Sequence, residues 1–100
     1  MNTIKKQPFE AYYISVTFPL ATDETISSVT SSVVVEDKDG TDVSLTMIDT
    51  GTEEVDGAVL RARIIGGSSS ASPYIMSFKA VTSLGNKYKY DVRVKVYDIP

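Results

Sequence analysis

One hundred residues, 42% of them hydrophobic and 23% charged, suffice for one domain around one apolar core and are too few for two. The chain holds no cysteine, which excludes a disulfide framework and a thiolate metal site, and no histidine, which removes the usual general base, the Ser-His-Asp arrangement and the commonest metal ligand. A formal net charge of -3 repels phosphates and argues against nucleic acid as a partner.

Residues 1–10 mix polar side chains with Pro8 and show no period, so they are expected to form an extended N-terminal arm, leaving 11–100 for a single β-sandwich domain. Lys5 and Lys6 stand where a signal peptide carries its cations, but Pro8 and Glu10 interrupt any apolar segment behind them, so no secretory signal is expected. No apolar run reaches the roughly 18–20 residues of a membrane helix, and a cytoplasmic site of synthesis follows as the expectation.

Period-two alternation begins at Tyr12. Tyr12, Ile14, Val16 and Phe18 take one face against Tyr13, Ser15 and Thr17, until Pro19 ends the ladder. A second strand is expected over 25–36, with Val29, Ser31, Val33 and Val35 in phase and Ile26 displaced by a bulge or a late start. Asp37-Lys38-Asp39-Gly40 has the composition of a tight turn. A third strand from Asp42 to Ile48 is expected to face Val43, Leu45 and Met47 inward. Residues 49–57 read as a loop with at most a short edge strand around Val55.

Leu60, Ala62 and Ile64 then point inward, with Arg61 and Arg63 on the wet side. Gly66 to Pro73 is small or turn-forming throughout and reads as a loop with nothing to bury. The clearest element is a long final hairpin. Tyr74, Met76, Phe78 and Ala80 alternate with Ile75, Ser77 and Lys79; Ser83-Leu84-Gly85-Asn86 turns the chain; Tyr88, Tyr90, Val92, Val94 and Val96 oppose Lys87, Lys89, Asp91, Arg93 and Lys95. Apolar residues nowhere recur at helical spacing, so little or no helix is expected.

Six or seven antiparallel strands with a turn every 8–12 residues predict an all-β, two-sheet sandwich of immunoglobulin-like or fibronectin type. Tyr74, after a glycine-rich loop and at the start of the penultimate strand, suits either a tyrosine corner or a plain core aromatic.

Few groups in the chain suggest chemistry. Ser68, Ser69 and Ser70 have no local lysine and read as loop solubility. Glu36, Asp37, Asp39 and Asp42 raise the question of calcium, but from Asp37 the glycine falls at position four and Ile48 at position twelve, which is not an EF-hand spacing. Glu53, Glu54 and Asp56 form a second solvated acidic cluster. Gly66-Gly67 lacks the Gly-Lys-Ser/Thr ending of a phosphate loop. Lys87, Lys89, Arg93 and Lys95 form a basic stripe interrupted by Asp91, read as the wet face of a strand on which lysines discourage edge pairing. No residue is therefore assigned a catalytic, cofactor-binding or metal-binding role, no cofactor is expected, and the chain reads as a non-enzyme.

The lead-in Lys6-Gln7-Pro8-Phe9-Glu10, the strand Ile14-Ser15-Val16, Glu24-Thr25-Ile26, Gly40-Thr41-Asp42-Val43, the Gly66-Gly67 loop and Thr82-Ser83-Leu84-Gly85-Asn86 before a closing Val-x-Val resemble small immunoglobulin-like structural proteins of tailed phages and prophages, the fibre-tail adaptors and head-tail modules. The resemblance implies a structural or adaptor role in a virion assembled in the bacterial cytoplasm. Docking onto other virion proteins, or onto further copies of itself, would carry that role, without nucleic acid or membrane. The alternative is an immunoglobulin-like adhesion or carbohydrate-binding module, in which an exposed Tyr13 or Tyr97 would stack on a sugar.

Overall fold

The structure is a computed structural model describing residues 2–97; Met1 and residues 98–100, expected in the arm and at the end of the domain, lie outside the described residues. Seven strands and one helical turn are formed: β1 (Asn2–Lys6), β2 (Tyr12–Thr17), β3 (Ser32–Glu36), α1 (Ser44–Met47), β4 (Glu54–Asp56), β5 (Val59–Ile64), β6 (Tyr74–Val81) and β7 (Lys87–Val96). They make a four-stranded sheet in the order β1-β7-β6-β3 and a three-stranded sheet in the order β2-β5-β4.

Alternation decides which side chains meet between the sheets. Leu60, Ala62 and Ile64 from β5, Tyr74, Met76, Phe78 and Ala80 from β6, and Val92, Val94 and Val96 from β7 are all buried. Val16 of β2, Phe18 just after it, and Val33 and Val35 of β3 close the core. This is the expected immunoglobulin-like β-sandwich, with β2-β5-β4 in the places of strands B, E and D and β3-β6-β7 in those of C, F and G.

Tyr74 satisfies both expectations for it. Its ring is buried, and its hydroxyl accepts the Ser68 N–H at 3.0 Å, six residues upstream, as a tyrosine corner does. Two residues on, where antibody domains place the second cysteine of the inter-sheet bridge, stands the fully buried Met76. Apolar packing replaces the covalent link.

Three expectations are corrected. The lead-in buries part of itself: β1 pairs in parallel with β7, Asn2 opposite Val92 through Lys6 opposite Val96, so the sandwich is not wholly antiparallel. Lys6 points inward with no exposed surface, and its ammonium donates to the carbonyls of Gly66 at 2.6 Å and Gln7 at 2.8 Å. Burial lowers its pKa, an effect that nearby Glu10 partly offsets. The loop at 66–73 thus has something to do: Gly66, at φ +63°, presents the carbonyl. At Gly67 a Cβ would lie 3.0 Å from Val96 and 3.1 Å from Met47, so that position admits no side chain without displacement.

The second correction concerns 42–48. Only Asp42 bridges to Glu36; Val43 to Met47 then coil into α1, leaving Met47 buried and Leu45 exposed. Ser44 causes the departure, because its hydroxyl accepts the Val35 N–H at 2.9 Å, and a side chain thereby replaces the backbone acceptor of a further strand. Third, the strand expected over 25–36 begins only at Ser32. Ile26 reaches the core through an isolated bridge to Thr82, and Val29 is exposed.

The long connection before β3 is held by Glu24. Its carboxylate accepts hydrogen bonds from the Thr82 hydroxyl, the Asn86 side-chain amide at 2.9 Å and the Ala21 N–H at 3.1 Å, which join the β2–β3 connection to the β6–β7 turn. These bonds, led by that of Thr82, lower the pKa of Glu24.

Phe78→Ala should destabilise the domain by about 3–5 kcal/mol in chemical denaturation, the usual range for a fully buried phenylalanine. Removing residues 2–6 should lower Tm by at least the roughly 4–8 °C that about 1 kcal/mol represents in a domain of this size. An unchanged Tm would show that β1 contributes nothing to the fold. Because the folded-state pKa of Glu24 lies below its unfolded value, its contribution is complete above the ordinary carboxylate range and is lost as pH falls through the folded pKa. The Tm deficit of Glu24→Gln should therefore be largest near neutral pH and shrink in acid; a gap constant down to about pH 3 would overturn the assignment.

Candidate functional site

The residues singled out in the sequence do not converge on a reactive centre. Ser68 lies beside Tyr74, and its hydroxyl is 3.2 Å from that of Ser70. Asp37 turns inward on its own loop, accepting the N–H groups of Asp39 at 2.9 Å and Thr41 at 3.0 Å. Asp42 accepts the amide of Ser44 at 2.9 Å and its hydroxyl at 2.6 Å; these bonds, the hydroxyl's first, lower its pKa, with a smaller effect from Lys79. Among the described residues no three acidic side chains gather as a metal site. Glu54 and Asp56 instead face Arg61, each at 3.5 Å, and Arg63 pairs with Asp49 at 2.9 Å. Tyr13 lies on the outer face of the three-stranded sheet and Tyr97 follows β7 in the other, so the two do not form one stacking platform.

What the fold does assemble is the outer face of the four-stranded sheet. Register places Lys5 beside Lys95, Thr3 beside Arg93, and Lys79 beside Lys89, with Lys87 opposite Val81 at the end of the hairpin. The basic stripe of β7 thus widens into a face with six cations, Lys5, Lys79, Lys87, Lys89, Arg93 and Lys95, and two carboxylates, Asp91 and Glu36. The rest of the described residues include only four of the ten basic ones and ten of the twelve acidic ones. Charge that nearly balances over the whole chain is sharply segregated in space.

Two features separate this face from ordinary wet sheet. Arg61 and Arg63 on the opposite sheet have carboxylates within ion-pair distance, whereas of the six cations here only Lys89 has one among the described residues, Asp91 at 3.5 Å. Lys79 and Lys89, and Lys5 and Lys95, are also directly opposed like charges, a pairing that destabilises a sheet. The expectation that these lysines shield an edge is corrected, because β6 and β7 are the two central strands of their sheet.

The middle of the face is less polar. Ile75 and Val34 are half-buried there and Ser77 is buried, between Arg93 at one end and Lys79 and Lys89 at the other. Beside Ser77, one carboxylate oxygen of Asp91 is buried without a hydrogen-bond donor. Sequence reasoning found the β7 stripe but missed Lys5 and Lys79. The signal for Lys79 was its phase in the final hairpin, whereas Lys5 joins only through a parallel pairing that no local pattern announces.

No family model matches the chain, and no curated protein matches it. Among solved structures it is similar to murine CRIg, with a TM-score of 0.57 over 98% of this chain and 94% of that one, at 10% sequence identity. At that identity the likeness concerns the fold alone. Among the described residues no helix is long and apolar enough to cross a membrane.

Replacing Lys79 by Gln removes one like-charge opposition from a central strand pair. The variant should be more stable than the natural protein by about 0.2–1 kcal/mol at low salt, with a smaller gain at high salt, when both are followed by urea denaturation. A loss of stability would show that Lys79 is held by attraction.

Proposed function

We propose that this chain is a docking domain that works by binding other proteins and performs no chemistry of its own. The observation that carries this reading is the outer face of the four-stranded sheet, where six cations, of which only Lys89 is within ion-pair distance of a carboxylate among the described residues, are set around a less polar centre. Docking surfaces are built in this way, with a less polar middle and a charged rim whose field steers the partner and selects against the wrong one. The absence of histidine and cysteine, and an immunoglobulin-like sandwich whose candidate carboxylates Asp37 and Asp42 hold their own turns, support the same reading.

The finer reading is a structural or adaptor component of a tailed-phage or prophage virion, and its support is the resemblance of the turns and strands set out above. Mass spectrometry of purified particles from the source should find the chain in a fixed ratio to the major structural proteins. Particles free of it would remove the virion role. A substrate turned over by the isolated domain, at a rate abolished by one point substitution, would remove the docking reading as well.

A further inference from the structure

Each sheet of the sandwich ends in two edge strands, and the outward amide groups of an edge pair with another strand unless something prevents it. Three of the four edges are protected. β1 carries Lys5 and Lys6, and the Lys5 carbonyl accepts the Tyr12 hydroxyl at 3.2 Å. β3 is capped at Val35, whose N–H meets the Ser44 hydroxyl at 2.9 Å and whose carbonyl accepts the Val43 N–H at 2.8 Å. β4 is short and carries Glu54 and Asp56. β2 has none of these devices: its residues, Tyr-Tyr-Ile-Ser-Val-Thr, include no charge, proline or glycine.

Which groups of β2 are free follows from the ladder. The Phe18 N–H donates to the Ala58 carbonyl at 2.9 Å, in step with the β2–β5 register, so Ile14 and Val16 bond to β5 as well. On the far side of β5 the Arg63 N–H and carbonyl are taken by Thr52 and Asp49, which fits the same alternation. Tyr13, Ser15 and Thr17 therefore aim N–H and C=O away from the sheet, and none of these groups has a hydrogen-bond partner among the described residues. Beside this edge a groove of about 420 Å³ opens between β2 and β1, with the half-buried Ile4 and Ile14 in its walls.

We infer that β2 pairs with β2 of a second copy of this chain, antiparallel about a two-fold axis at Ser15, so that two three-stranded sheets become one continuous sheet. The register identifies the occupant. With Ser15 opposite its own counterpart and Tyr13 opposite Thr17, every outward amide of the strand exchanges both its bonds, and no other two-fold register pairs all three residues with one another. The side chains agree with this. On the outer face Tyr13 lies against Thr17, an aromatic and β-branched pair, and on the inner face Ile14 lies against Val16 and covers the mouth of the groove in both copies. Like residues meet at a two-fold axis, so an edge that pairs with itself is best left uncharged. β2 is neutral, and the cations beside it on β5 have carboxylates within ion-pair distance, Glu54 and Asp56 for Arg61 and Asp49 for Arg63. This edge is separate from the cationic face, and the inference does not rest on that face.

Solution scattering of the full chain tests it. At about 1 mM chain, which populates any dimer with a comparable or tighter Kd, the apparent mass should rise toward that of two chains and not beyond, because a two-fold contact closes on itself. The rise should be the same at about 20 mM and about 500 mM salt, since no ion pair is involved. In hydrogen exchange the amides of Tyr13, Ser15 and Thr17 should exchange severalfold more slowly in concentrated than in dilute chain, while those of Ile14 and Val16 stay protected in both.

Ser15→Pro deletes an N–H that the molecule's own ladder does not use, so this variant should fold, as checked by circular dichroism, and remain monomeric. Ser15→Glu sets like charges across the axis, and Ser15→Lys does so with the opposite sign. Each should be monomeric alone, and an equal mixture of the two should associate. A natural chain that stays monomeric at the same concentration, a mass that climbs past two chains, or association lost at high salt overturns the inference. So does a dimer that survives Ser15→Pro or either charge variant, or a mixture of the charge variants that fails to associate.

Discussion

The hairpin of β6 and β7 constrains both halves of this molecule. Its strands are the two central ones of their sheet, paired over eight residues from Tyr74 opposite Val94 to Val81 opposite Lys87. Because side chains alternate along each strand, one register sets two surfaces at once. Met76, Phe78, Val92 and Val94 face the core, and Lys79, Lys89, Asp91 and Arg93 face outward as a consequence. A slip of one residue would bury the cations and expose the core. The position of the charged face is therefore as firmly determined as the hydrophobic core, although every residue on it is polar or half-exposed.

The outer margin of that sheet depends on Lys6. An alkyl chain can pack along apolar neighbours, but an ammonium without exposed surface needs oxygen acceptors. Gly66 and Gln7 supply them, so the charge is solvated by backbone carbonyls. The bond to Gly66 ties β1 to a loop sixty residues away, and the Tyr97 N–H closes the same corner by donating to the Lys6 carbonyl at 3.1 Å. With β1 in place Lys5 is held beside Lys95, so the buried lysine sets the position of its exposed neighbour.

The parts of the fold that were legible in the sequence are those whose pattern is local. β5, β6 and β7 alternate without interruption, and the residues expected to face the core are the ones that do. The departures have a common origin in contacts between distant segments. Residues 42–48 alternate as a strand would, yet Ser44 satisfies the Val35 N–H with its side chain and the backbone coils. Residues 2–6 have no period because the sheet edge offers only a partial inner face, and their pairing comes from β7, ninety residues on. The candidate face was half visible for the same reason. A stripe on one strand can be read by counting in twos, but its neighbours are known only once strand order and register are.

Strand order also changes what the net charge means. An overall value of -3 argues against anionic partners only if the charges act together at the surface concerned. At physiological ionic strength the Debye length is about 8 Å, whereas the molecule measures 22 and 21 Å across its two short dimensions. A partner approaching the four-stranded sheet is screened from most of the acidic residues behind it and meets six cations and two carboxylates. Long-range repulsion between copies, set by the small net charge, is weak, and the short-range field is set by whichever face is presented. In such a molecule a modest acidic balance does not oppose docking of an acidic surface on the four-stranded sheet, whereas the cations of that sheet disfavour two copies of it meeting face to face.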